Sequence, residues 1–390
     1  MSEWKKNKLG NIGNVITGKT PSKDNPEDWG NEVLFITPSD YKNYGKKAYS
    51  SIRMLSRVGI ERQKNRLLPP SSVLVTCIGS DMGKSVVNSS LCVTNQQINA
   101  IIPDLSVVTA DYLYYLTIDL YDIFRSKGGD GTAVPILNKS DFEKIDILLP
   151  RISEQKAIAS VLSSLDDKID LLHRQNKTLE SMAETFFRQW FVEEAREDWE
   201  DGTIADLIDF NPLRKLSKGS VAPYLEMASL NNSTFNPYDW YERAFSSGTK
   251  FINRDTLLAR ITPCLENGKT AYVTFLEKNQ VGWGSTEYIV MRPKGELHPF
   301  FAYALARNTD FRAYAEGCLA GSSGRQRVEI QHLKNYVIKS PSQNIVSEFN
   351  SLARPIAAKL HSNFLQLRTL EKLRDTLLPK LMSGEVRVIS

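Results

Sequence analysis

The sequence predicts an α+β fold in which two mixed α/β domains alternate with two long helices as an internal repeat. Three observations support this. First, Ile169, Leu172, Asn176, Leu179, Ala183, Phe186 and Trp190 step by three and four, and Leu360, Asn363, Leu367, Leu370, Arg374, Leu377 and Leu381 take the same steps 191 positions later. That spacing is the seam of a coiled coil, and two such stripes in one chain can bury each other. Second, the repetition extends beyond the helices: Trp4, Leu9 and Ile12 recur in pattern as Trp199, Ile204 and Leu207. Third, both halves carry short β-rich runs bounded by Pro, Gly and Ser.

Four segments follow from the repeat: residues 1–149, 150–192, 193–340 and 341–390. In the first, strands are expected over Val33–Thr37, Ser72–Ile78, Leu91–Thr94 and Ile98–Ile102, and a helix over Asp111–Phe124. Their counterparts in the third are Leu257–Ile261, Thr270–Phe275 and Tyr288–Met291, with a helix over Pro299–Tyr314. Basic turns match at Met82–Ser85 and Asn267–Thr270, and polar clusters at Thr94–Gln97 and Gly284–Glu287. Gly-rich stretches (Gly128–Gly131 and Gly321–Gly324) close each domain before its helix. The first helical segment is expected to open with a short helix over Ser153–Leu165, after which Asp166 and Asp167 would suit the N-terminus of the long one. Pro355 would mark the equivalent break in the second.

Composition narrows the class. At 390 residues and 41% hydrophobic, the chain can bury two sizeable cores. No apolar run approaches the roughly 18 residues of a membrane span, and the N-terminus lacks the apolar stretch of a signal peptide. Cys77, Cys92, Cys264 and Cys318 show no C-x-x-C pairing, so reduced core thiols are expected rather than zinc, and the four histidines form no ligand set. A cytoplasmic protein follows. The net charge of +4 is small, but Glu3–Arg66 holds 13 Lys or Arg against 7 acids, whereas Glu193–Asp209 holds eight acids and one base. A locally basic surface fits a localised phosphate contact, or a solvated face.

Catalytic motifs are not readable. Gly79–Ser85 has three residues between its glycines where a phosphate-binding loop needs four. Asn236-Pro237-Tyr238-Asp239 is similar to the N-P-P-Y of adenine methyltransferases but lacks one proline, and no glycine-rich cofactor loop precedes it. The chain is expected to catalyse nothing by itself.

Five short motifs, in order over essentially the whole length, then carry a resemblance. They are G-K-T-P at Gly18–Pro21, the cluster Asn95–Gln97, P-x-x-x-E-Q-x-x-I at Pro150–Ile158, F-x-x-W-F at Phe187–Phe191, and L-L-P-K-L-M-S-G-E at Leu377–Glu385. Together they resemble the specificity subunits of Type I restriction–modification systems. The second helix departs from the pattern at Ser342-Gln343-Asn344. The resemblance implies two target-recognition domains separated by an antiparallel pair of coiled-coil helices, with pseudo-twofold symmetry. Each domain would read one half of a bipartite, asymmetric double-stranded DNA site. Two modification (methyltransferase) subunits would dock on the helices, binding S-adenosylmethionine and methylating adenine N6. Restriction (translocase/endonuclease) subunits would cleave unmodified DNA, so this chain would hold no cofactor itself.

On that reading the helix pair acts as a ruler, since about 25–30 residues span roughly 40 Å, or about 12 base pairs. Asn176 and Asn363 would set its register. Polar and basic loop residues are the candidate DNA contacts: Lys19, Ser39, Asp40, Tyr41, Ser80, Lys84, Gln96 and Gln97 in the first domain. Those in the second are Arg260, Thr262, Lys269, Ser285, Thr286, Glu287, Arg325 and Arg327. Arg and Gln can make bidentate bonds to guanine and adenine edges, whereas Lys more often meets phosphate. Gln96 and Glu287 also read as turn braces, and Glu287 as half of an internal salt bridge. Two rival functions stay open: a coiled-coil scaffold joining two protein-binding domains without DNA readout, and an NTPase built on Gly79–Ser85.

Overall fold

The computed structural model describes residues 4–129, 134–193, 199–232, 234–322 and 324–388, with the side chain of Asn43 outside the description. The parts of the Gly-rich and acidic stretches at Asp130, Gly131, Ser323 and residues 194–198 lie outside the described residues. The chain divides into two compact units, residues 1–170 with 369–390, and residues 171–368. Among the described residues no helix is long and apolar enough to cross a membrane.

In the first unit the opening strand Lys5–Lys8 pairs antiparallel with Asp146–Leu149, which ties the start of the domain to the strand feeding the first long helix. A five-stranded sheet runs in the order Gly13–Thr17, Ile98–Pro103, Val73–Thr76, Ser85–Asn88, Lys47–Ala48. A four-stranded sheet runs Trp29–Gly30, Arg53–Leu55, Val33–Ile36, Cys92–Thr94, its last pair parallel with Ile36 opposite Thr94. Val73–Thr76, Ser85–Asn88 and Cys92–Thr94 are buried at every position, which explains why they read as continuous runs rather than alternations. The helix expected over Asp111–Phe124 is two, Ala110–Asp119 and Tyr121–Lys127, because Leu120 leaves helical geometry between them. Leu9, Ile12, Tyr112, Phe124 and Phe142 form the core with Ile158 and Leu162 of the first long helix and Leu381 and Met382 of the second. Cys77 and Cys92 are buried free thiols, and burial pushes the pKa of each up to about 12.

The second unit pairs Asp201–Thr203 with Val337–Lys339. One sheet runs Ile208–Phe210, Tyr288–Pro293, Thr256–Ala259, Thr270–Tyr272, and another runs Tyr241–Ala244, Val221–Leu225, Gly282–Gly284, Thr249–Phe251. Val221–Leu225 and Gly282–Gly284 are parallel, as Val33–Ile36 and Cys92–Thr94 are in the first unit. The helix expected over Pro299–Tyr314 is again two, Phe300–Arg307 and Thr309–Gly317. Asn308 separates them, its Oδ1 accepting from the N–H groups of Asp310 and Phe311 as an N-cap. Phe187, Phe191, Phe301 and Phe349 pack together in this core, with ring centroids 4.9–5.9 Å apart.

The long helices are continuous, Ile152–Arg188 with 37 residues and Gln343–Met382 with 40. The expected breaks are absent. Asp166 is not a cap: it accepts from the Tyr115 hydroxyl at 2.7 Å and pairs with Arg374 at 3.3 Å, all within the first unit. Pro355 sits inside the second helix, where Ala353, Ile356, Ala357 and Leu360 pack into the core. That packing offsets a local cost of about 3 kcal/mol. In the second unit Asn363 Nδ2 donates to Asn176 Oδ1 at 2.7 Å and Phe191 meets Phe349, so the helices run in opposite directions there.

Of the expected seam, Leu172, Leu360 and Asn363 are fully buried, and Ile169, Leu367 and Leu381 nearly so. Leu179, Leu370 and Leu377 are half-buried. Phe186 departs from the expected seam, whereas Trp190, like Leu179, packs against the core from its edge. Both aromatics are only half-buried, stacked on one another at 5.6 Å, while Phe187 and Phe191 fill the core. An α-helix drifts from a strict seven-residue repeat, and a π-helical turn over Gln189–Glu193 rotates the face further.

His298 joins the domain to the second long helix within the second unit. Its backbone N–H donates to Asn350 Oδ1 at 2.7 Å, and its imidazole Nδ1 accepts from Phe300 N at 3.2 Å. Burial, with Arg254 and Arg354 adding repulsion, pushes its pKa down to about 4. A folded-state value below the unfolded one means stability is complete above about pH 6.5 and is lost as pH falls towards the folded pKa. His298→Asn keeps an acceptor but cannot titrate. Its unfolding free energy, measured in urea, should fall less than the parent's between about pH 7 and about pH 4.5; equal falls would remove His298 as the source.

Candidate nucleic-acid interface

In the first unit the strand ends bring remote motifs to one rim. Thr17 faces Asn99, Ile98 faces Thr76, and Val75 faces Ser85, so the chain after Thr17, the turn after Thr76 and the turn before Ile98 share one end of the sheet. The Gly18–Pro21 strap is fastened to the 94–97 turn. Gly18 N donates to Ile98 O at 3.2 Å and Lys19 N to Thr94 O at 2.9 Å, while Thr20 donates through its N–H and hydroxyl to Gln96 Oε1 at 3.3 and 2.8 Å. A Cβ on Gly18 would lie 2.2 Å from the carbonyl oxygens of Thr94 and Asn95, so only glycine allows this approach.

Lys19, Ser39, Ser80, Lys84 and Gln96 are exposed on that rim. Lys19 makes no ion pair among the described residues, and Lys84 pairs with Asp81 at 2.6 Å. Because the Thr20 N–H and hydroxyl both occupy Gln96 Oε1, Gln96 offers only the donors of its amide NH2 and not the donor–acceptor pair that reads adenine. Gln97 is half-buried and braces the turn, accepting from Asn95 Nδ2 at 2.8 Å. The Gly79–Ser85 segment connects two antiparallel strands, Val73–Thr76 and Ser85–Asn88. No helix follows to receive a phosphate, so the NTPase reading fails on topology.

Asp40 and Tyr41 are corrections, since both point inward. Asp40 is 1% exposed and closes a capping box, its Oδ2 accepting from Thr37 N at 2.8 Å and its Oδ1 from Ile52 N at 2.9 Å. The T-x-x-D spacing of Thr37 and Asp40 was a readable sign of this role. Tyr41 donates to Leu74 O at 3.0 Å inside the core, and burial pushes its phenol pKa far up. The residues missed by sequence reasoning are Thr20, which orients Gln96, and the exposed Ile52 held by Asp40.

The second unit builds a comparable rim. Arg260 N donates to Glu287 O, Val328 N to Arg260 O, and Thr262 N to Gln326 O, which fastens the 325–328 segment to the chain after Ala259. Glu287 and Arg327 satisfy each other, with three contacts of 2.7–2.9 Å. That pair holds the Arg327 pKa above its usual value and leaves Glu287 as an internal partner rather than a base reader. Arg260 reaches Glu329 at 3.2 Å, and Lys269 Nζ donates to Met227 O at 3.2 Å. Ser285 is half-buried and accepts from Glu287 N through its hydroxyl, whereas Thr286 and Arg325 are exposed. Asn236 is a buried brace, its Nδ2 donating to Tyr272 O and Thr274 Oγ1.

Comparison with known proteins follows the same lines. Residues 1–181 match the Type I restriction modification DNA specificity domain. A Type I restriction enzyme specificity subunit of Methanocaldococcus jannaschii (MjaIX) is 27% identical over 99% of this chain and 94% of its own length. The HindI specificity subunit of Haemophilus influenzae is 33% identical over 43% of this chain and 37% of its own. The crystal structure of a Type-I restriction-modification system S subunit from M. genitalium matches with a TM-score of 0.59 at 15% identity, covering 97% of this chain and 96% of that one, which shows a shared fold.

Gly18→Ala is expected to lift the strap from the 94–97 turn. In hydrogen exchange, the amides of Gly18 and Lys19 should lose protection relative to the parent while those of Val73–Thr76 keep theirs. Unchanged protection at Gly18 and Lys19 would mean the close approach is not what holds the strap.

Proposed function

Because the chain belongs to the specificity subunits of Type I restriction–modification systems, we propose that each domain reads one half of a bipartite, asymmetric DNA site. The observation that carries the reading is the rim of the first unit, where Gly18–Pro21 and Thr94–Gln97 are fastened by backbone hydrogen bonds beneath exposed Lys19, Ser39 and Gln96. Loops held this way present donors in fixed geometry, as base-edge recognition requires, and a lysine beside them meets phosphate. In the second unit Thr286, Arg325 and the half-exposed Arg260 and Lys269 take that part.

The remainder of the proposal concerns geometry and partners. The two long helices form an antiparallel coiled coil with pseudo-twofold symmetry that sets the distance between the half-sites. Two modification subunits dock on it and supply S-adenosylmethionine and adenine-N6 methyl transfer, and restriction subunits join them in the cytoplasm. This chain supplies address and spacing, with no catalysis of its own. Four strands pair in the same order in one sheet of each unit and a parallel pair recurs in another, which supports a duplicated ancestor.

Co-expression with a cognate modification subunit in a methylation-free host, followed by long-read methylome mapping, tests the reading. The expected result is N6-methyladenine on one split, asymmetric motif. A stable, S-adenosylmethionine-binding complex that methylates nothing would favour the scaffold of protein-binding domains instead. Removing one heptad from each helix should shift the domains by roughly 10 Å and shorten the spacer by about three base pairs, or abolish recognition. An unchanged spacer would sink the ruler.

A further inference from the structure

We propose that Ile52 is a specificity-determining residue of the first domain, making apolar contact with the 5-methyl group of a thymine. The proposal rests on the DNA-reading function above and assigns one contact within it. Ile52 is 69% exposed, and lone exposed apolar side chains are common on protein surfaces. What distinguishes this one is how firmly its backbone is held and where.

The Ile52 N–H donates to Oδ1 of Asp40 at 2.9 Å, and Asp40 is 1% exposed. A buried carboxylate is costly unless its lone pairs are used. Here they are shared between Thr37, whose N–H and hydroxyl donate at 2.8 and 2.7 Å, and Ile52. On one side of the tip, Ser51 Oγ accepts from Phe35 N at 3.3 Å and donates to Arg53 O at 2.6 Å. On the other, the Arg53 guanidinium lies 3.2 Å from the Trp29 ring centre. The exposed side chain is β-branched and therefore stiff at χ1. A rigid tip ending in an apolar group results.

The ladders place this tip on the rim already described. Arg53 faces Phe35, Ile36 faces Thr94, Asn95 N donates to Ile36 O at 3.2 Å, and Lys19 N donates to Thr94 O at 2.9 Å. Ile52 thus lies at the same strand end as the 94–97 turn and its Lys19 strap, which carry polar groups suited to phosphate and base edges. In the major groove the thymine methyl is the apolar feature that marks an A·T pair, and small apolar side chains are its complement.

The test uses the complex of the full chain with its modification subunits and duplexes carrying the site found by methylome mapping. Each thymine of the site is replaced in turn by deoxyuridine, which removes only the methyl group, and Kd is measured for the parent and for Ile52→Ala. At one position the parent should lose about four-fold in affinity, the value for one buried methyl. Ile52→Ala should bind the thymine duplex with a similar loss and lose nothing more on deoxyuridine at that position. Ile52→Val, which keeps part of the apolar surface, should fall between them. A parent indifferent to deoxyuridine at every position, an Ile52→Ala variant with the full parental penalty, or a site lacking any T·A pair would each overturn the proposal. A complex with no sequence preference on the thymine duplex would overturn the DNA-reading function as well, which separates the two failures.

Discussion

Burial of the apolar stripes on the two long helices is the constraint on which both domains depend. In the second unit Ala183, Phe187 and Phe191 of one helix and Phe349, Ala353, Ile356 and Leu360 of the other belong to the same core as Ile204, Phe301 and Leu305. In the first, Ile158 and Leu162 meet Leu381 and Met382 around Leu9, Tyr112 and Phe124. Each fully buried side chain of this size contributes about 1.5–3 kcal/mol. Four or five of them match the whole stability margin of a domain, about 5–15 kcal/mol. Neither core is therefore complete without residues from both helices, including some more than two hundred positions away in the first unit. The fully buried Asn363 departs from the apolar pattern, and the bond from its Nδ2 to Asn176 offsets part of the cost of taking an amide out of water.

The rims follow from the same economy of burial. Sheet strands that are buried along their length leave their ends as the places where loops reach solvent, and polar groups organise those loops from inside. Asp40 holds the Thr37 turn and the Ile52 tip together. In the second unit Asp255, fully buried, caps its own turn through Ile252 N and pairs with Arg292 and Arg214. Breaking one partner of such a buried arrangement leaves an uncompensated charge, so these carboxylates serve architecture rather than contact. The groups left outward, Lys19, Ser39, Gln96, Thr286 and Arg325, belong to loops whose backbones are fastened elsewhere.

Legibility in the sequence tracked how local each determinant is. The three-and-four stepping of the helices and the β-rich runs announced the elements, because a side chain's periodicity depends only on its own element. Asp166 and Pro355 misled for the converse reason: acids and proline signal breaks locally, but Tyr115, Arg374 and the core around Ala353 and Ile356 keep each helix continuous. Phe186 and Trp190 carried the repeat in sequence, yet a small helical drift turned Phe187 and Phe191 inward instead. The polar candidates separated only when partners became visible, as with Glu287 taken by Arg327 and Asp40 by Thr37 and Ile52.

By itself the sequence determined the order of elements and the resemblance to Type I specificity subunits, since these reside in periodicity and in motifs read along one strand of text. The tertiary structure decided which polar residues face outward, that Gly18–Pro21 and Thr94–Gln97 meet, and that an isoleucine stands on a clamped tip beside them. The reason is physical: a side chain's availability is set by which hydrogen-bond partners the fold brings within about 3 Å, and those partners come from positions that no local pattern connects.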